Sequence, residues 1–424
     1  MANNSAIKGL RCLKCGQSYP LGEYFEGCSA CRTDTHVSNL SIVYDYDTLK
    51  KKLTRQSFTN RDMNLWRYKE LLPIDANNAV TLGEGMTPLI PCTRLALQLG
   101  IDRIYLKDES RNPTCSFKDR LCSVAISRAK EIGAPMITAS STGNHGMAAA
   151  AYAARAGIPC VIFTLENVSQ AMKALMQSYG AKVVACRNPR DRWTLMSECT
   201  RRYGWYPVSN YTYPPTGSNY YGIEGYKTIA YEVAESLEWE APDVFVMPVA
   251  FADGLAGIWK GFKELEILGL IDRLPRLVAV EAFGSLSTAL KKELDYTPEV
   301  PVTPSVAVSI AVNTSTYQGL QALKESKGTS VTFTDDEVLA MQQKLAAEEG
   351  VYTELSSAAS LVGAQKLRQT GEIRQDERVV CLLTATGIKD TGPTQSYARP
   401  VPVVSADISE LREALKSSYG LHLE

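Results

Sequence analysis

Histidine is scarce in this chain, with only three among 424 residues, at positions 36, 145 and 422. The first and last lie towards the ends of the sequence, so His145 is the one candidate for a catalytic imidazole. A loop histidine whose backbone matters and whose ring does not is an equally good interpretation. We therefore leave His145 out of the predicted catalytic set.

Excess charge and long apolar runs are also missing. The 45 basic and 46 acidic residues give a formal net charge of -1, which excludes a whole-protein field that favours nucleic acid or anionic lipid. No run of 18 or more apolar residues occurs, and no apolar core follows the N-terminus. We expect a cytoplasmic protein with a small-molecule substrate, no nucleic-acid partner and no membrane partner.

A third absence concerns nucleotide cofactors. No G-x-G-x-x-G run follows a predicted strand with an acidic residue about twenty positions further on. This excludes a nucleotide-binding dehydrogenase of the Rossmann type.

What is present indicates two lobes and a small appendage, because 424 residues exceed what one hydrophobic core usually supports. From about residue 81, short β-rich runs such as Ile104-Tyr-Leu-Lys alternate with amphipathic stretches such as Leu121 to Ile132. This alternation predicts an α/β fold with mostly parallel sheets. Residues 46–80 are charged and helix-prone, and we interpret them as a helical lead-in.

Four of the eleven cysteines form two CxxC pairs near the N-terminus, Cys12 with Cys15 and Cys28 with Cys31. Four thiolates can converge tetrahedrally on Zn²⁺, and a segment this short has little core of its own. The pattern predicts a zinc-ribbon-like segment over residues 1–45. A ribbon without metal, or a pair of disulfides in an oxidised preparation, are the alternatives. A catalytic zinc is disfavoured, since four thiolates leave no open position.

Lys118 lies where a turn ends and an amphipathic helix begins, in Asn112-Pro-Thr-Cys-Ser-Phe-Lys-Asp-Arg. The positive end of the helix dipole lowers the pKa of an amine at this position. A partly deprotonated lysine is what imine formation with an aldehyde requires. Taken alone, the motif fits a solvated helix-start lysine better than a reactive one.

About twenty residues further on, Ser140-Ser-Thr-Gly-Asn-His-Gly joins a predicted strand to a helix of small residues. The free N–H groups of such a helix start form an anion cradle, which suits the carboxylate of an amino acid. The side-chain amide of Asn144 has the chemistry to hold the phenolic oxygen of a pyridine cofactor.

Together, Lys118 within SFKDR and the following STGNHG resemble the cofactor and substrate loops of fold type II pyridoxal-phosphate (PLP) enzymes, and in particular the threonine synthase branch. Further similar segments extend the resemblance over about residues 80 to 391. They are Leu82-Gly-Glu-Gly-Met-Thr-Pro-Leu, Ile223-Glu-Gly-Tyr-Lys-Thr-Ile-Ala, Gly257-Ile-Trp-Lys-Gly-Phe, Tyr352-Thr-Glu-Leu-Ser-Ser-Ala-Ala and Thr384-Ala-Thr-Gly-Ile-Lys-Asp. The cysteine-bearing lead segment is similar to that of some archaeal and bacterial threonine synthases.

The resemblance implies a role for each matching residue. Lys118 would form the Schiff base with PLP and shuttle protons, Asn144 would lie beside the cofactor O3′, and Thr384 would face the pyridine nitrogen. A neutral hydroxyl at that nitrogen favours elimination and replacement over transamination. The cofactor phosphate is expected to contact the loop Ala250, Phe251, Ala252, Asp253, Gly254 and Leu255. The substrate is expected to contact Thr87, Ser141, Thr142, Gly143 and His145.

The same resemblance implies an architecture. We expect two lobes built on open, mostly parallel, twisted sheets: a large PLP-binding lobe from residues 46–110 and 225–424, and a small lobe from residues 111–224. The zinc-ribbon-like segment precedes them, and the molecule is expected to be a homodimer.

Three positions depart from the family pattern. Asp253 lies in a phosphate loop that is usually glycine- and asparagine-rich, so it is expected either to turn away and cap N–H groups or to weaken PLP binding. Cys115 replaces a glycine and is expected to pack or to narrow the site. His145, within GNHG, is more similar to the dehydratase and deaminase branches.

The expected reaction is a PLP-dependent lyase conversion of O-phosphohomoserine to threonine and phosphate. PLP-dependent β-elimination with deamination, or β-replacement, on a serine-, phosphoserine- or diaminopropionate-type amino acid is the alternative within the same cofactor class. A non-catalytic regulatory relative is the alternative of another class. Candidates for binding a substrate phosphate are Arg111, Arg120, Arg155 and Lys227.

Overall fold

The computed structural model describes residues 6–389, 391–395 and 397–423. The chain divides after Lys389 into a large compact unit and a short C-terminal unit. Among the described residues, no helix is long and apolar enough to cross a membrane.

The large unit contains thirteen strands within the described part of the chain. They are β1 (Ile7–Cys12), β2 (Ser18–Tyr19), β3 (Leu40–Tyr44), β4 (Leu89–Cys92), β5 (Arg103–Asp108), β6 (Ile137–Ser140), β7 (Cys160–Leu165), β8 (Lys182–Cys186), β9 (Tyr206–Pro207), β10 (Val244–Pro248), β11 (Arg276–Glu281), β12 (Thr329–Thr332) and β13 (Arg378–Leu383).

Thirteen α-helices accompany these strands in the same described part. They are α1 (Tyr46–Lys52), α2 (Arg94–Leu99), α3 (Lys118–Glu131), α4 (Asn144–Ala156), α5 (Gln170–Ser178), α6 (Asp191–Tyr203), α7 (Tyr220–Tyr226), α8 (Thr228–Ser236), α9 (Asp253–Ile267), α10 (Ser285–Lys291), α11 (Tyr317–Glu325), α12 (Asp335–Glu349) and α13 (Leu355–Gln369). The C-terminal unit contributes α14 (Gly392–Gln395) and α15 (Ile408–Tyr419).

Three sheets organise the large unit. A six-stranded sheet has the order β12-β11-β10-β13-β5-β4 and is parallel except for the edge strand β4, which pairs antiparallel with β5. A four-stranded parallel sheet has the order β8-β7-β6-β9. Parallel strands need crossover connections, and the helices that follow them supply these. The predicted α/β fold with mostly parallel sheets is confirmed.

The central strands are apolar throughout because helices cover both faces of a parallel sheet. β10 (Val-Phe-Val-Met-Pro) and the last five residues of β13 (Val-Val-Cys-Leu-Leu) are fully buried, as is the start of β6. The buried alanines of α4 allow this helix to lie close against β6 and β7. The same small residues set the position of the loop that precedes the helix.

The N-terminal ribbon is a three-stranded antiparallel sheet, β2-β1-β3. It is anchored to the rest of the unit through side chains as well as apolar contacts. The hydroxyl of Tyr44 donates a 2.9 Å hydrogen bond to Glu224, and the amide of Asn39 donates a 3.0 Å bond to the carbonyl of Ser218.

Helix α3, which begins at Lys118, is held by a buried ion-pair network. Arg120 binds Glu109 at 2.6 Å and Glu232 at 2.5 Å, and Lys107 binds Glu232 at 2.6 Å, all with fully buried side chains. Burial alone would raise the pKa of Glu232, but Arg120 and Lys107 hold it at about 2. Two positive and two negative charges balance, as a buried network requires.

A glycine permits the close approach that fixes α3 from its other side. A Cβ at Gly225 in α7 would lie 2.1 Å from the carbonyl oxygen of Arg120. Only glycine therefore lets α7 pack at this distance against the first turn of α3. Tyr226, the next residue, is thereby placed beside Lys118.

Candidate active site

One cleft brings together most of the residues predicted from the sequence. It has a volume of about 620 Å³ and is lined by elements of both parallel sheets. The predicted residues among its lining are Lys118, Ser141, Thr142, Gly143, Asn144, His145, Ala250, Phe251, Ala252, Asp253, Gly254 and Thr384. This volume is typical of small-molecule sites.

Lys118 lies at the first position of α3, with its amine against aromatic rings. Its Nζ is 4.2 Å from the centre of the Phe117 ring and donates a 3.1 Å hydrogen bond to the hydroxyl of Tyr226. Burial lowers the pKa of the Lys118 amine, and the carboxylates of Asp253 and Glu354 offset only part of that effect. At neutral pH a larger fraction of the amine keeps its lone pair than for a lysine in water.

Asn144 opens α4, and both ends of its amide are fixed. Lys389 donates a 2.6 Å hydrogen bond to Oδ1, and Nδ2 donates a 3.0 Å bond to Glu354. The second N–H of Nδ2 is left for a ligand. Lys389 and Glu354 therefore orient the amide, and neither had been singled out as a site residue, although both lie in sequence segments similar to the family.

Thr384 follows strand β13 and is only 4% exposed. Its hydroxyl lies 2.7 Å from that of Ser357 and donates a 3.0 Å hydrogen bond to Glu354. Burial raises the pKa of Glu354, while Lys389, Thr384 and Asn144 pull it down. One carboxylate thus bridges Asn144 and Thr384, each of which bonds a different oxygen of Glu354.

The loop from β10 to α9 is a row of free N–H groups. None of the backbone N–H groups from Ala250 through Leu255 donates a hydrogen bond to another described residue. The row ends in the first turn of α9, a helix of fifteen residues. Unpaired N–H groups at a helix start are suited to a phosphate. The side chain of Leu255 itself points into the core.

Asp253 turns its carboxylate away from that row. Its two oxygens accept a 2.8 Å hydrogen bond from the N–H of Ser218 and a 2.9 Å bond from Nε2 of Gln318. The carboxylate turns away as predicted, but the N–H group that it caps is that of Ser218, and the N–H groups of its own loop and of the start of α9 stay free. Burial raises the pKa of this carboxyl, and the bonds from Ser218 and Gln318 together with nearby Lys118 lower it in part.

Two residues of the predicted cofactor segments adopt left-handed backbone conformations without being glycine. Cys115 has φ of 56° and Ala252 has φ of 59°. The family resemblance implies glycine at position 115 and a glycine- and asparagine-rich loop around position 252, and a positive φ is a conformation that glycine adopts without strain. Each substitution stores strain of about 1–2 kcal/mol.

The loop before α4 forms the predicted anion cradle. The hydroxyl of Ser141 accepts hydrogen bonds from the N–H groups of Gly143 and Gly146, at 3.2 and 2.9 Å. The N–H groups of Thr142, Asn144 and His145 have no acceptor among the described residues. Three free donors around one turn suit a carboxylate.

His145 contributes a neutral ring to the cleft. Burial lowers its pKa to about 3, and the nearby Lys118 adds to this. Its Nε2 is buried and has no hydrogen-bond partner among the described residues. The ring therefore offers one unpaired nitrogen to a ligand and carries no charge at neutral pH.

Other predicted residues lie elsewhere. Thr87 is buried outside the cleft and donates a 2.6 Å hydrogen bond to Glu109, so it supports the ion-pair network.

The prediction that the substrate phosphate is bound by one of four basic residues, Arg111, Arg120, Arg155 and Lys227, is wrong. None of them lines the cleft. Arg120 and Lys227 are fully buried in ion pairs, Arg111 pairs with Asp108, and Arg155 donates to the carbonyl of Thr81.

The four N-terminal cysteines converge as predicted. Their sulfur atoms all lie within 4.8 Å of one another, with Cys12 to Cys31 and Cys15 to Cys28 each at 3.6 Å. A tetrahedron of Zn–S bonds of about 2.3 Å has edges of about 3.8 Å. The cluster can therefore hold a metal ion, and its chemistry suits structural zinc.

A lysine with a lowered pKa, an oriented amide, a buried hydroxyl and a phosphate-binding row of N–H groups together define a site for a phosphorylated pyridine aldehyde. The donor set fits pyridoxal phosphate, and the chain belongs to the family of pyridoxal-phosphate dependent enzymes, whose sequence pattern matches residues 80–385.

The chain is similar to archaeal threonine synthases over nearly its whole length. It is 35% identical to that of Methanocaldococcus jannaschii over 413 residues, which cover 96% of this chain and 99% of the relative. It is 37% identical to that of Methanosarcina acetivorans over 417 residues, which cover 96% and 98%.

The fold is also that of a solved enzyme, the diaminopropionate ammonia lyase from Escherichia coli, with a TM-score of 0.63 at 18% identity, over 74% of this chain and 87% of that one. At this identity the likeness shows the fold alone.

Proposed function

We propose that this protein is a threonine synthase, a carbon–oxygen lyase that converts O-phosphohomoserine and water to threonine and phosphate. The observation that carries the proposal is that Lys118, Asn144 and Thr384 share one cleft with an unpaired row of N–H groups. The similarity to two threonine synthases over 96% of the chain supports the choice of reaction.

In this proposal Lys118, Asn144, Thr384 and the loop Ala250–Leu255 hold the cofactor. Bound pyridoxal phosphate supplies an electron sink that stabilises negative charge at the carbon atoms of an amino acid. Thr384, whose hydroxyl contacts Ser357 and Glu354, would face the ring nitrogen with a neutral group in place of a carboxylate.

Lys118 is the proton carrier of the proposed site. Its Nζ lies 3.1 Å from the hydroxyl of Tyr226, and its lowered pKa lets it accept a proton at neutral pH and return it. The free N–H groups of Thr142, Asn144 and His145 hold the substrate carboxylate and so fix which protons face Lys118.

A second candidate reaction, β-elimination or β-replacement on a serine-, phosphoserine- or diaminopropionate-type amino acid, is favoured by one specific observation. His145, whose motif first suggested this class, lines the cleft, and its neutral, buried Nε2 has no hydrogen-bond partner among the described residues. That nitrogen can hydrogen-bond a hydroxyl or amine leaving group as well as a phosphate.

The experiment is a comparison of products from the PLP-loaded protein. With O-phosphohomoserine we expect phosphate and threonine in equal amounts, and with Lys118→Ala we expect neither. Release of ammonia or pyruvate from serine, phosphoserine or diaminopropionate, without threonine from O-phosphohomoserine, would replace the first reaction with the second. No turnover of any of these substrates would favour the regulatory relative.

We also propose a cytoplasmic homodimer whose large lobe comprises residues 46–110 and 225–424 and whose small lobe comprises residues 111–224. The two parallel sheets support the lobes, since the smaller sheet is built entirely from residues 137–207. The four clustered thiols support a reducing compartment. Sedimentation of the purified protein tests the dimer: a species of twice the 46.5 kDa chain mass is expected.

A further inference from the structure

We propose that Arg192, assisted by Arg190, binds the phosphate ester of the substrate in the cleft. The inference rests on the proposed function and deepens it, because no residue has so far been assigned to the phosphate that leaves. It concerns the start of α6, on the side of the cleft formed by the four-stranded sheet.

Both arginines line the cleft that contains Lys118. Arg190 directly precedes α6 and Arg192 lies in its first turn. Trp193, the next residue, places its ring 6.2 Å from that of Phe251 in the cofactor loop. The start of α6 thus borders the cofactor site from the opposite sheet.

The guanidinium of Arg192 is half-buried and lacks an ionic partner. No carboxylate of the described residues lies within ion-pairing distance of it, and its one described hydrogen bond runs from Nε to the carbonyl of Pro189 at 3.2 Å. Burial lowers its pKa, as expected for a cation that has lost water without gaining a counter-charge. Nη1 and Nη2 are left free, and two parallel N–H donors match a phosphate.

The nearby carboxylates are already engaged. Asp191 accepts a 2.9 Å hydrogen bond from Asn188. Glu299 accepts a 3.0 Å bond from Asn313 and is 3.8 Å from Arg190, too far for a close ion pair. Arg190 itself is largely exposed at the rim and lies over the Tyr213 ring, 4.8 Å from its centre. It can therefore swing towards a bound dianion.

The substrate, rather than the cofactor, is the phosphate that Arg192 fits. The cofactor phosphate already has the free N–H groups from Ala250 through Leu255. The other cationic side chains near the reacting atoms are committed, since Lys118 reacts and Lys389 is bound to Asn144 and to the carbonyl of Thr114. A substrate dianion entering from the rim meets Arg190 first and Arg192 next.

The test uses the PLP-loaded protein with Arg192→Gln, and Arg187→Gln as the matched control. Arg187 is exposed on the preceding segment and does not line the cleft. For Arg192→Gln we expect KM for O-phosphohomoserine to rise by about 10- to 100-fold, the usual effect of losing a charge-assisted hydrogen bond. The affinity for PLP should stay unchanged, which also reports that the variant is folded. Arg187→Gln should match the wild type in both.

An unchanged KM in Arg192→Gln would overturn the proposal. If the affinity for PLP falls while the KM stays unchanged, Arg192 binds the cofactor and not the substrate. If the wild type does not turn over O-phosphohomoserine, the proposed function fails, and Arg192 is then tested by calorimetry with inorganic phosphate on the PLP-loaded protein. Binding that is lost in Arg192→Gln and kept in Arg187→Gln supports the anion site. Absent binding, or binding equal in all three proteins, overturns it.

Discussion

At the scale of single residues, Asp253 is the position where this chain differs most in charge from what a phosphate loop requires. The carboxylate lies at the first residue of α9, beside six free N–H groups, and is held aside by Ser218 and Gln318. Holding it aside limits the repulsion of a phosphate dianion but does not remove it. The negative charge of Asp253 therefore opposes cofactor binding at every pH at which its carboxyl group is ionised.

Asp253→Asn is predicted to bind PLP about tenfold more tightly than the wild type at pH 8, since one like charge near the phosphate is removed, while the amide oxygen keeps an acceptor for one of the two donors, Ser218 and Gln318. The pKa of Asp253 is raised by burial, so lowering the pH protonates it and relieves the repulsion. The advantage of the variant should therefore shrink as the pH falls. Spectroscopic titration with PLP at several pH values measures this.

Lys118, which also titrates, is present in both proteins, so the difference between them isolates Asp253. Weaker PLP binding by Asp253→Asn at every pH would show that the carboxylate supports the loop more than it repels the phosphate.

Local motifs located residues that the structure brings together, while their roles toward a cofactor stay predictions. Lys118, Asn144 and Thr384 each sit in a short recognisable segment, and all three line the cleft. Glu354 and Lys389 orient Asn144 across more than 200 residues of sequence, and no local pattern reports that contact. Arg120 was suggested as a phosphate ligand because charge is visible in sequence, whereas its two buried glutamate partners are not.

At the scale of elements, the central strands follow from runs of β-branched and apolar residues, and β5 begins at Arg103, one residue before the predicted run that starts at Ile104. The lead-in of residues 46–80 was expected to be helical, yet only α1 is an α-helix there. Three short 3₁₀ turns follow, beginning after Thr54, Asn64 and Asp75. The side chains of threonine, asparagine and aspartate can hydrogen-bond nearby backbone groups, and these bonds replace those that would continue an α-helix.

The ribbon is an element whose metal is predicted to matter beyond its own fold. Asn39 of the ribbon bonds the carbonyl of Ser218, and the N–H of Ser218 bonds Asp253. Loss of the metal should therefore reach the cofactor loop through one contiguous chain of hydrogen bonds.

Cys28→Ser is predicted to lose a bound zinc ion, of which the wild type should contain about one per chain, and to lower the melting temperature by about 5 °C or more. Its affinity for PLP should fall as well. Metal analysis and thermal denaturation test this, with Cys199→Ser in α6, outside the cluster, as the control. Equal zinc content in the wild type and Cys28→Ser would contradict a four-cysteine site.

The buried network under α3 predicts a second element-scale effect. Arg120→Met leaves Glu109 and Glu232 short of a counter-charge in a fully buried place, and should lower the free energy of unfolding by about 3–5 kcal/mol. Arg202→Met, which removes an exposed pair with Glu198, should cost less than about 1 kcal/mol. Chemical denaturation compares the two, and equal losses would contradict the role of the network.

The same network predicts the direction of an acid effect. The pKa of Glu232 is about 2, below its ordinary 4.5. Its ion pairs therefore stabilise the fold above about pH 4.5, and that contribution is lost as the pH falls towards 2.

At the scale of the whole molecule, the cleft combines segments that follow strands of both parallel sheets: Ser141–His145 follow β6 of the four-stranded sheet, whereas Lys118, the N–H row and Thr384 follow β5, β10 and β13 of the six-stranded sheet. Lys118 and Ser141–His145 come from segments between residues 111 and 224, and Ala250–Leu255 and Thr384 come from the later part of the chain. The site exists only when both sheets are assembled. Sequence order predicts this arrangement, because ligands bind at the carboxyl ends of parallel strands.

The measurement that tests the central claim most directly is the position of the cofactor on the chain. The protein is incubated with PLP, the lysine–cofactor bond is reduced with borohydride, and the digested peptides are examined by mass spectrometry. We predict that the cofactor mass is found on Lys118 and is absent from the Lys118→Ala variant. Labelling of Lys389, which bonds Asn144 and whose pKa is also lowered by burial, or no labelling at all, would contradict the account.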